Sequence, residues 1–294
     1  MFFRPLDVLE NSPRREILPV VEEGLTLVSI ERYFSLSSIS FTCGGDWRLN
    51  NDTSNFDSER CGIKGQTLVG SWEIQVISHF NNVNDMGLGA GFSGVMGEAL
   101  ELHASFMYDK TYQKYFNSLI SSEQYFSFSD PMEFRDIDGG TKWLVGGSYT
   151  WGNNLTMSLE YWHDDSGYSE SELNDLVGLA REQRHLFIDG DISGDIRDGN
   201  IQWSSQVYRQ QNLLERYAAV RFSFIRDEQS LASYFIYSVP DDGWIGNVRY
   251  ENDVGRNHNF SLGVRYYGGD ENSAYKNFFT KYQVYFGWEG VFSL

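Results

Sequence analysis

Charged residues recur at the polar positions of segments in which apolar and polar residues alternate. The acidic members come earlier in the chain than the basic ones. They are Glu73, Glu101, Glu160, Arg221, Arg249, Arg265 and Lys281. Because successive residues of a β-strand point to opposite faces, these side chains would share the polar face of one sheet. Opposed acidic and basic walls would create a transverse field in a channel and select solutes by charge. Alternatively, the charges pair with one another and fill a narrow interior.

The segment DGDISGDIRDGN spaces its oxygen-bearing side chains like a calcium-binding loop. Asp189, Asp191 and Ser193 would occupy the first, third and fifth positions, and Asp195 adds a further carboxylate. The twelfth position is Asn200, where such a loop carries a bidentate glutamate. The flanking residues also alternate like strands, so an acidic turn between strands is the favoured interpretation and calcium binding the weaker one.

Five histidines complete the candidates for chemistry. They are His79, His103, His163, His185 and His258. No nucleophile stands at a spacing from a histidine and a carboxylate that marks a catalytic triad. His163 and His258 fall at predicted strand ends, where polar aromatic side chains anchor proteins at a membrane interface. The sequence therefore predicts that the protein is not an enzyme.

The clearest alternation is at the end of the chain, in TKYQVYFGWEGVFSL. One face of this segment is apolar and aromatic, and the other is mostly polar. About 13 residues at ~3.3 Å per residue is longer than a usual soluble strand and would cross a bilayer when tilted. A second long strand is predicted from Leu68 to Phe80. The hairpin Trp143 to Tyr161, around the turn at Gly152, repeats the same pattern.

The composition favours strands and turns over helices. The 294 residues include 29 Gly and only 5 Pro, and 16% are aromatic. No run approaches 18 apolar residues and the mean hydropathy is −0.42, which excludes a membrane-spanning helix but not a spanning barrel. The net charge of −18 argues against a nucleic-acid partner, because phosphate binding needs a basic face.

Short and long connections largely alternate between the predicted strands, which is typical of an up-and-down barrel and not of a Greek-key sandwich. We predict about 12 strands from Leu68 onward, and about 14 with weaker candidates at Gly24 to Tyr33 and Phe34 to Thr42. A short helix is predicted in ESELNDLVGLAREQ. Strands at 186–192 and 201–207 are predicted to flank a turn at 193–199. The domain plan is an extended segment at 1–23 and a barrel at 24–294, with outer loops near 109–140, 164–183 and 268–279.

Cys43 and Cys61 flank a polar segment. In an oxidising compartment they would form a loop-closing disulfide, and in a reducing compartment they would be two thiols. The N-terminal residues lack the basic region, apolar region and cleavage site of a signal peptide. The chain is therefore expected to be a mature form or an N-terminally incomplete piece of a longer barrel.

The chain resembles Gram-negative outer-membrane β-barrels of the porin-like type. The resemblance rests on the aromatic C-terminal strand, the hairpin LVGGSYTWGNNLTMSLEYWHDDSGYSESE and the loop YYGGDENSAY. In that class the last residue is usually a phenylalanine recognised by the barrel-assembly machinery. Here it is Leu294, with Phe292 on the same face. The opening FRPLDVLENSPRRE resembles a mid-barrel loop, which again suggests an N-terminally incomplete member.

The resemblance implies a location in the bacterial outer membrane, with outer-membrane lipid, lipopolysaccharide and the assembly machinery as partners and with no cofactor. Together with the inward charges, it predicts a porin-like channel for passive diffusion of small hydrophilic solutes. One alternative is a filled barrel with a structural or surface-interaction role through its acidic outer loops. Another is a soluble secreted carbohydrate-binding β-sandwich, whose exposed Trp and Tyr side chains would form a sugar platform.

Overall fold

The chain folds into one antiparallel sheet of 13 strands, each paired with the strands before and after it in sequence. The computed structural model describes residues 26–45, 60–81, 85–122, 124–188, 193–209, 212–255, 258–277 and 280–290. The strands are β1 (Thr26–Tyr33), β2 (Ser37–Gly45), β3 (Arg60–Val69), β4 (Trp72–Asn81), β5 (Asp85–Met96), β6 (Leu100–Asn117), β7 (Met132–Thr150), β8 (Leu155–Asp164), β9 (Arg216–Arg226), β10 (Gln229–Ser238), β11 (Trp244–Val254), β12 (His258–Gly268) and β13 (Tyr282–Gly290). The predicted all-β, up-and-down architecture with 12 to 14 strands is confirmed.

One face of the sheet is apolar and exposed. We call it the outer face, and the opposite one the inner face. On the outer face Phe106, Tyr149 and Phe286 are 46%, 43% and 69% exposed, and Trp72 is half-buried with its ring edge on Phe92 at 5.8 Å. A water-soluble sandwich would bury such side chains in its core. Their exposure is what a lipid-facing surface requires.

The strand connections fall at two ends of the sheet. The turn end carries the short connections, among them 70–71, 97–99, 151–154 and 227–228. Gly70 and Gly97 have φ of 65° and 67° there, the left-handed region that glycine adopts without steric cost. The loop end carries the longer connections 118–131, 165–215 and 269–281. We call 165–215 the insert.

Aromatic side chains line the outer face near both ends. At the loop end Trp143 packs on Tyr161 and His163, with ring centroids 5.4 and 5.8 Å apart. At the turn end His258 stacks on Trp288 at 5.8 Å. Aromatic girdles at two levels are a feature of membrane barrels. Both histidines predicted as interfacial anchors thus pack on tryptophan rings at strand ends.

The predicted strand from Leu68 to Phe80 was wrong at its start. A turn at Gly70 and Ser71 separates β3 from β4. Leu68 therefore belongs to β3, where it pairs with Glu73 on the inner face. The apolar run continues through the two-residue turn, so the alternation in the sequence hides the reversal of the chain.

The interval 109–140 is mostly strand. β6 and β7 remain paired from Thr111–Asp138 to Asn117–Met132. This part lies beyond the residues of β6 that pair with β5 and the residues of β7 that pair with β8. The loop itself is confined to 118–131 and begins with a 3-10 turn at Ser118–Ser121. The extension buries polar as well as aromatic side chains (Lys114, Tyr115 and Asn117), so its sequence lacks the apolar–polar alternation that marks the other strands.

The strands predicted at 186–192 and 201–207, with their turn at 193–199, were wrong. The structure has α1 (Glu170–Ile188) and α2 (Gly194–Ser204), followed by a 3-10 turn at Ser205–Arg209. The helix predicted within 164–183 is confirmed and is longer than expected. None of the helices in the described ranges is long and apolar enough to span a membrane. The predicted extended segment 1–23 lies outside the described residues.

The structure has a disulfide between Cys43 and Cys61. Cys43 and Cys61 are directly paired residues of β2 and β3, with Cα atoms 4.1 Å apart. Their side chains lie on the same face as the neighbouring pair Phe41 and Ile63, both exposed. The bond joins the two strands that border residues 46–59.

Candidate inner-face site

Two histidine–carboxylate contacts cross an intervening strand on the inner face. His79 of β4 and Asp109 of β6 are joined by an Nε2–Oδ1 hydrogen bond of 2.7 Å, and both side chains are buried. Gly87 of β5 pairs with Asp109 and lies between the two. A Cβ at Gly87 would overlap the His79 ring and the Asp109 carboxylate. Because Gly87 has no side chain, His79 of β4 and Asp109 of β6 can form a hydrogen bond across β5.

The second contact has the same construction. His103 of β6 and Glu160 of β8 lie 3.6 Å apart (Nε2 to Oε1), and both side chains are buried. Gly146 of β7 pairs with both residues, and a Cβ there would overlap His103 Nε2. At 3.6 Å this is an ion-pair distance for a protonated histidine and too long for a hydrogen bond. His103 Nε2 has no hydrogen-bond partner among the described residues.

A third pair of side chains forms a hydrogen bond across an intervening strand further along the sheet. The Tyr285 hydroxyl of β13 donates to Asn247 Oδ1 of β11 at 3.0 Å, and its ring covers Gly263 of β12. Arg265 lies beside this pair, with its guanidinium 5.8 Å from the Tyr285 ring centroid. Side chains from three strands therefore meet over one glycine, and the inner face is bonded across strands as well as along the backbone ladder.

Toward the loop end, strands β8 to β12 have their inner face covered. Trp162, Tyr217, Ile236, Ile245 and Tyr267 each have at most 2% of their surface exposed. The side chains that pack on them come from the insert and from the 269–281 connection. They are Tyr168, Leu173, Val207, Leu213, Leu214, Ala274 and Tyr275. We call the whole set the loop-end cluster. It closes this part of the inner face by hydrophobic packing.

Buried polar groups fix the insert to the end of β8. Trp162 Nε1 donates to Asn212 Oδ1 at 3.3 Å, and Asn212 Nδ2 donates to Asp164 Oδ2 at 2.7 Å. All three residues are fully buried. The other Asp164 oxygen accepts from the backbone N–H and hydroxyl of Ser166. Because a buried polar group without a partner is costly, this network specifies one position for the insert.

The extension of β6 holds the first turn of α1. Lys114 Nζ lies 2.7 Å from Glu172 Oε2 and 5.4 Å from the Tyr168 ring centroid, and its side chain is only 5% exposed. Tyr168 donates from its hydroxyl to the carbonyl of Tyr115 at 2.6 Å. Ser169 donates to Glu172 from its backbone N–H and its hydroxyl. Burial raises the pKa of Glu172, but the hydrogen bonds from Lys114 and Ser169 outweigh it, so that the net pKa is lowered.

A second carboxylate at the loop end behaves in the same way. Asp165 accepts from the backbone N–H and the hydroxyl of Thr141 at 2.7 and 2.8 Å, and its other oxygen lies 2.8 Å from His163 Nε2. Burial raises the pKa of Asp165, while the Thr141 and His163 hydrogen bonds lower it by more. Both carboxylates hold the insert in their ionised form.

Acid should therefore loosen the insert. A carboxylate whose folded pKa is depressed contributes stability above its unfolded pKa, 4.5 for Glu172, and loses that contribution as pH falls through the folded value. Protonation also leaves the buried Lys114 ammonium without its charged partner. We expect faster amide hydrogen exchange in 166–188, corrected for intrinsic rates, once pH falls below about 4.5. Glu172→Gln should show fast exchange already at neutral pH, and equal profiles for the two proteins would contradict this.

The predicted channel-lining residues lie on or beside the inner face, in different surroundings. Glu73 and Glu101 are exposed near the turn end, with Glu101 accepting from the Ser148 hydroxyl at 3.3 Å. Glu160 is buried beside His103. Lys281 precedes β13 and is exposed. The structure does not assemble the three glutamates into one cluster among the described residues, and their role in selectivity stays a prediction.

The basic members lie closer together. Arg221 is exposed on β9, Arg249 lies 2.5 Å from Glu251 Oε1 on β11, and Arg265 is half-buried on β12. The pairing register places Arg221 beside Tyr234 and Arg265 beside Asn247. These residues form one inner-face region, which we call the arginine group.

The calcium candidate is only partly described. Asp189 and Asp191 lie outside the described residues. Ser193 is the N-cap position of α2 and Asp195 stands in its first turn. Within the described ranges no group of three His, Cys, Asp or Glu side chains could hold a metal ion.

Sequence reasoning missed the His79–Asp109 and His103–Glu160 contacts. Both histidines were considered only as parts of a triad, and Asp109 was placed in a loop. The available signal was an inward glycine on the strand between the partners, at Gly87 and at Gly146. That signal becomes readable only once the strand register is known.

Comparison with known proteins gives structural neighbours only. No family model matches the sequence, and no curated protein matches it as a relative. A loop L8 deletion mutant of OmpT, an outer membrane protein of Vibrio cholerae, has a TM-score of 0.44 and 12% identity over 86% of this chain and 74% of its own. In-vitro folded OmpT of Vibrio cholerae gives 0.42 and 12% over 84% and 80%. The copper transporter OprC gives 0.37 and 9% over 84% and 47%.

The prediction that the protein is not an enzyme was wrong as an exclusion. It rested on the spacing of nucleophile, histidine and carboxylate along the sequence, whereas the fold joins His79 to Asp109 from strands 30 residues apart.

Proposed function

We propose that the protein is an outer-membrane channel for passive diffusion of small hydrophilic solutes, narrowed at the loop end by the insert. The observation that carries this proposal is the contrast between the two faces of the sheet. The outer face is apolar and exposed, whereas the inner face keeps Glu73, Glu101 and Arg221 exposed to solvent. Exposed charges on an inward face are those of a water-filled passage.

A filled barrel with a surface role is the second candidate, and the loop-end cluster favours it. The insert buries the inner face of β8 to β12 at the loop end with aromatic and aliphatic side chains. If the remaining strands are covered in the same way, no continuous passage exists. The loops would then act as a surface for contacts outside the membrane, with lipopolysaccharide and outer-membrane lipid around the apolar face.

Conductance in planar bilayers separates the two candidates. The chain is refolded into detergent, checked by heat-modifiable gel migration, and added to a bilayer in potassium chloride. We expect discrete open steps in the current. Under a salt gradient, the reversal potential of Arg221→Gln should show a greater preference for cations than that of the parent, because an inward positive charge is lost. Arg197→Gln on α2 is the control and should leave the reversal potential unchanged. A folded protein without open steps would overturn the channel and favour the filled barrel.

A further inference from the structure

The arginine group is an uncompensated positive region on the inner face of an acidic protein. The chain has a net charge of −18. Of the three arginines only Arg249 has a carboxylate partner among the described residues, Glu251 at 2.5 Å. Arg221 and Arg265 form no ion pair with any described residue. One carboxylate against three guanidinium groups leaves a local excess of positive charge where the chain as a whole is negative.

Register places the three side chains around a common space. Arg221 pairs with Tyr234, Tyr234 with Asn247, and Asn247 with Arg265. Three strand steps of ~4.8 Å put the Cα atoms of Arg221 and Arg265 about 14 Å apart. Arg249 lies two residues from Asn247 on the strand between, so its side chain enters the same space from the turn-end side.

Small residues flank Arg249 on both neighbouring strands. Its cross-strand partners on the inner face are Ala232 of β10 and Gly263 of β12. On the Gly263 side the Tyr285 ring fills the gap. On the Ala232 side only a methyl group projects from β10 between Arg249 and Ser223, which lies two residues from Arg221 on β9.

Arg265 has unused hydrogen-bonding capacity. Its Nε is buried and has no hydrogen-bond partner among the described residues. The guanidinium hydrogen-bonds to Tyr267 and interacts electrostatically with the phenols of Tyr234, Tyr267 and Tyr285, and none of these groups is a carboxylate. A partly buried guanidinium without an anionic acceptor is unfavourable, and a carboxylate or phosphate group would supply two acceptors in the geometry that arginine prefers.

We infer that the arginine group is a binding site for an anionic solute that carries carboxylate or phosphate groups. The inference rests on the proposed channel function, for which it names the solute class. Exposed Arg221 and Arg249 would make the first contact, and Arg265 would hold the anion at the inner end. The hydroxyls of Tyr267 and Tyr285, which donate to Gln283 and Asn247, would accept hydrogen bonds from the uncharged part of the solute.

Inorganic phosphate is the probe, first in the absence of a membrane. The folded chain is dialysed in a non-ionic detergent without phosphate groups, because no lipid headgroup is then present. Equilibrium dialysis should show saturable binding of inorganic phosphate. Arg221→Gln should weaken binding about tenfold or more, because a charged hydrogen bond is lost. Arg265→Gln should do the same. Arg226→Gln, a 76% exposed guanidinium at the turn end, is the matched control and should bind as the parent does. Non-saturable binding, or equal weakening by Arg226→Gln, would overturn the site.

Bilayer recording then separates this inference from the channel itself. In potassium chloride, added phosphate should lower the single-channel current until the decrease saturates. Arg221→Gln should raise the phosphate concentration that gives half of this decrease by the same factor as it weakens binding in dialysis. Open steps that phosphate does not affect would leave the channel standing and remove the site. Saturable dialysis binding in a protein without open steps would retain the site and remove the channel. Arg221 is exposed, so its variant should fold as the parent does.

Discussion

Gly87→Ala should destabilise the folded barrel by about 3 kcal/mol, because the new methyl group displaces His79 from Asp109 and breaks a buried pair. Asp109 is 3% exposed, and Lys142 Nζ also lies 3.8 Å from its Oδ2. The predicted loss is large for a single methyl group because its cost is that of separating the buried His79 and Asp109 side chains. The midpoint of urea unfolding, followed by heat-modifiable migration, measures it.

Gly65→Ala is the matched control for this variant. Gly65 lies in β3, a Cβ there would meet no atom within 4 Å, and its φ is not in the left-handed region. A methyl group at Gly65 adds outer-face surface without contact, so its unfolding midpoint should stay that of the parent or rise slightly. If both alanine variants unfold at the same urea concentration, the His79–Asp109 bond does not stabilise the barrel.

Trp162→Ala should release the insert from β8 to β12. Trp162 is fully buried, stacks on Tyr217 with ring centroids 5.2 Å apart and donates to Asn212. Removing a buried tryptophan costs about 3 to 5 kcal/mol, and here it also leaves the Asn212 amide oxygen without its donor. The loop-end cluster holds the insert, whereas backbone hydrogen bonds between neighbouring strands hold the sheet. The insert should therefore lose more stability than the sheet.

Limited proteolysis and conductance report the two consequences. Cleavage within 165–215 should become faster, while heat-modifiable migration of the remaining sheet is retained. The same variant should widen the passage at the loop end and increase the single-channel current. Trp151→Ala is the control, because Trp151 is 40% exposed at the turn end and lies outside the loop-end cluster. An insert that resists protease in Trp162→Ala as it does in the parent would show that other contacts hold it.

Alternation in the sequence predicted the sheet wherever one face of a strand contacts lipid and the other does not. The hairpin from Trp143 to Tyr161 and the strand at the chain end are of this kind, and both were located correctly. Where the chain leaves the membrane belt, this signal disappears. In the β6–β7 extension Lys114, Tyr115 and Asn117 are buried while several β7 residues are exposed, so that polar and aromatic residues do not alternate and the interval is predicted as a loop.

Short alternating runs failed for a different reason. Ile201, Trp203 and Val207 have the spacing of a strand, but they belong to α2 and its 3-10 continuation. A run of this length fits both periods, and neighbouring contacts decide between them. Ile201 is 50% exposed and Val207 is buried in the loop-end cluster. The outcome depended on how the insert packs against the sheet, which the local sequence does not encode.

Individual charges were predictable, but their partners were not. The alternation placed Arg221, Arg249 and Arg265 on the inner face, and the structure has them there. That Glu160 would meet His103 across Gly146 depends on the alignment of three strands. A shift of one residue in any of the pairings would move these side chains to the opposite face, so contacts of this type follow from register alone.

The bond between Cys43 and Cys61 covalently fixes such a register. It joins two residues that face each other across β2 and β3, and a chain with this bond cannot slide by one position between these strands. β2 is also one of the two strands whose alternation in the sequence is weakest, so side-chain burial alone specifies its alignment poorly. A chain aligned incorrectly at β2 and β3 cannot bring the two sulphur atoms together, and its thiols remain reduced. Formation of the disulfide would therefore distinguish correctly aligned chains from misaligned ones during assembly.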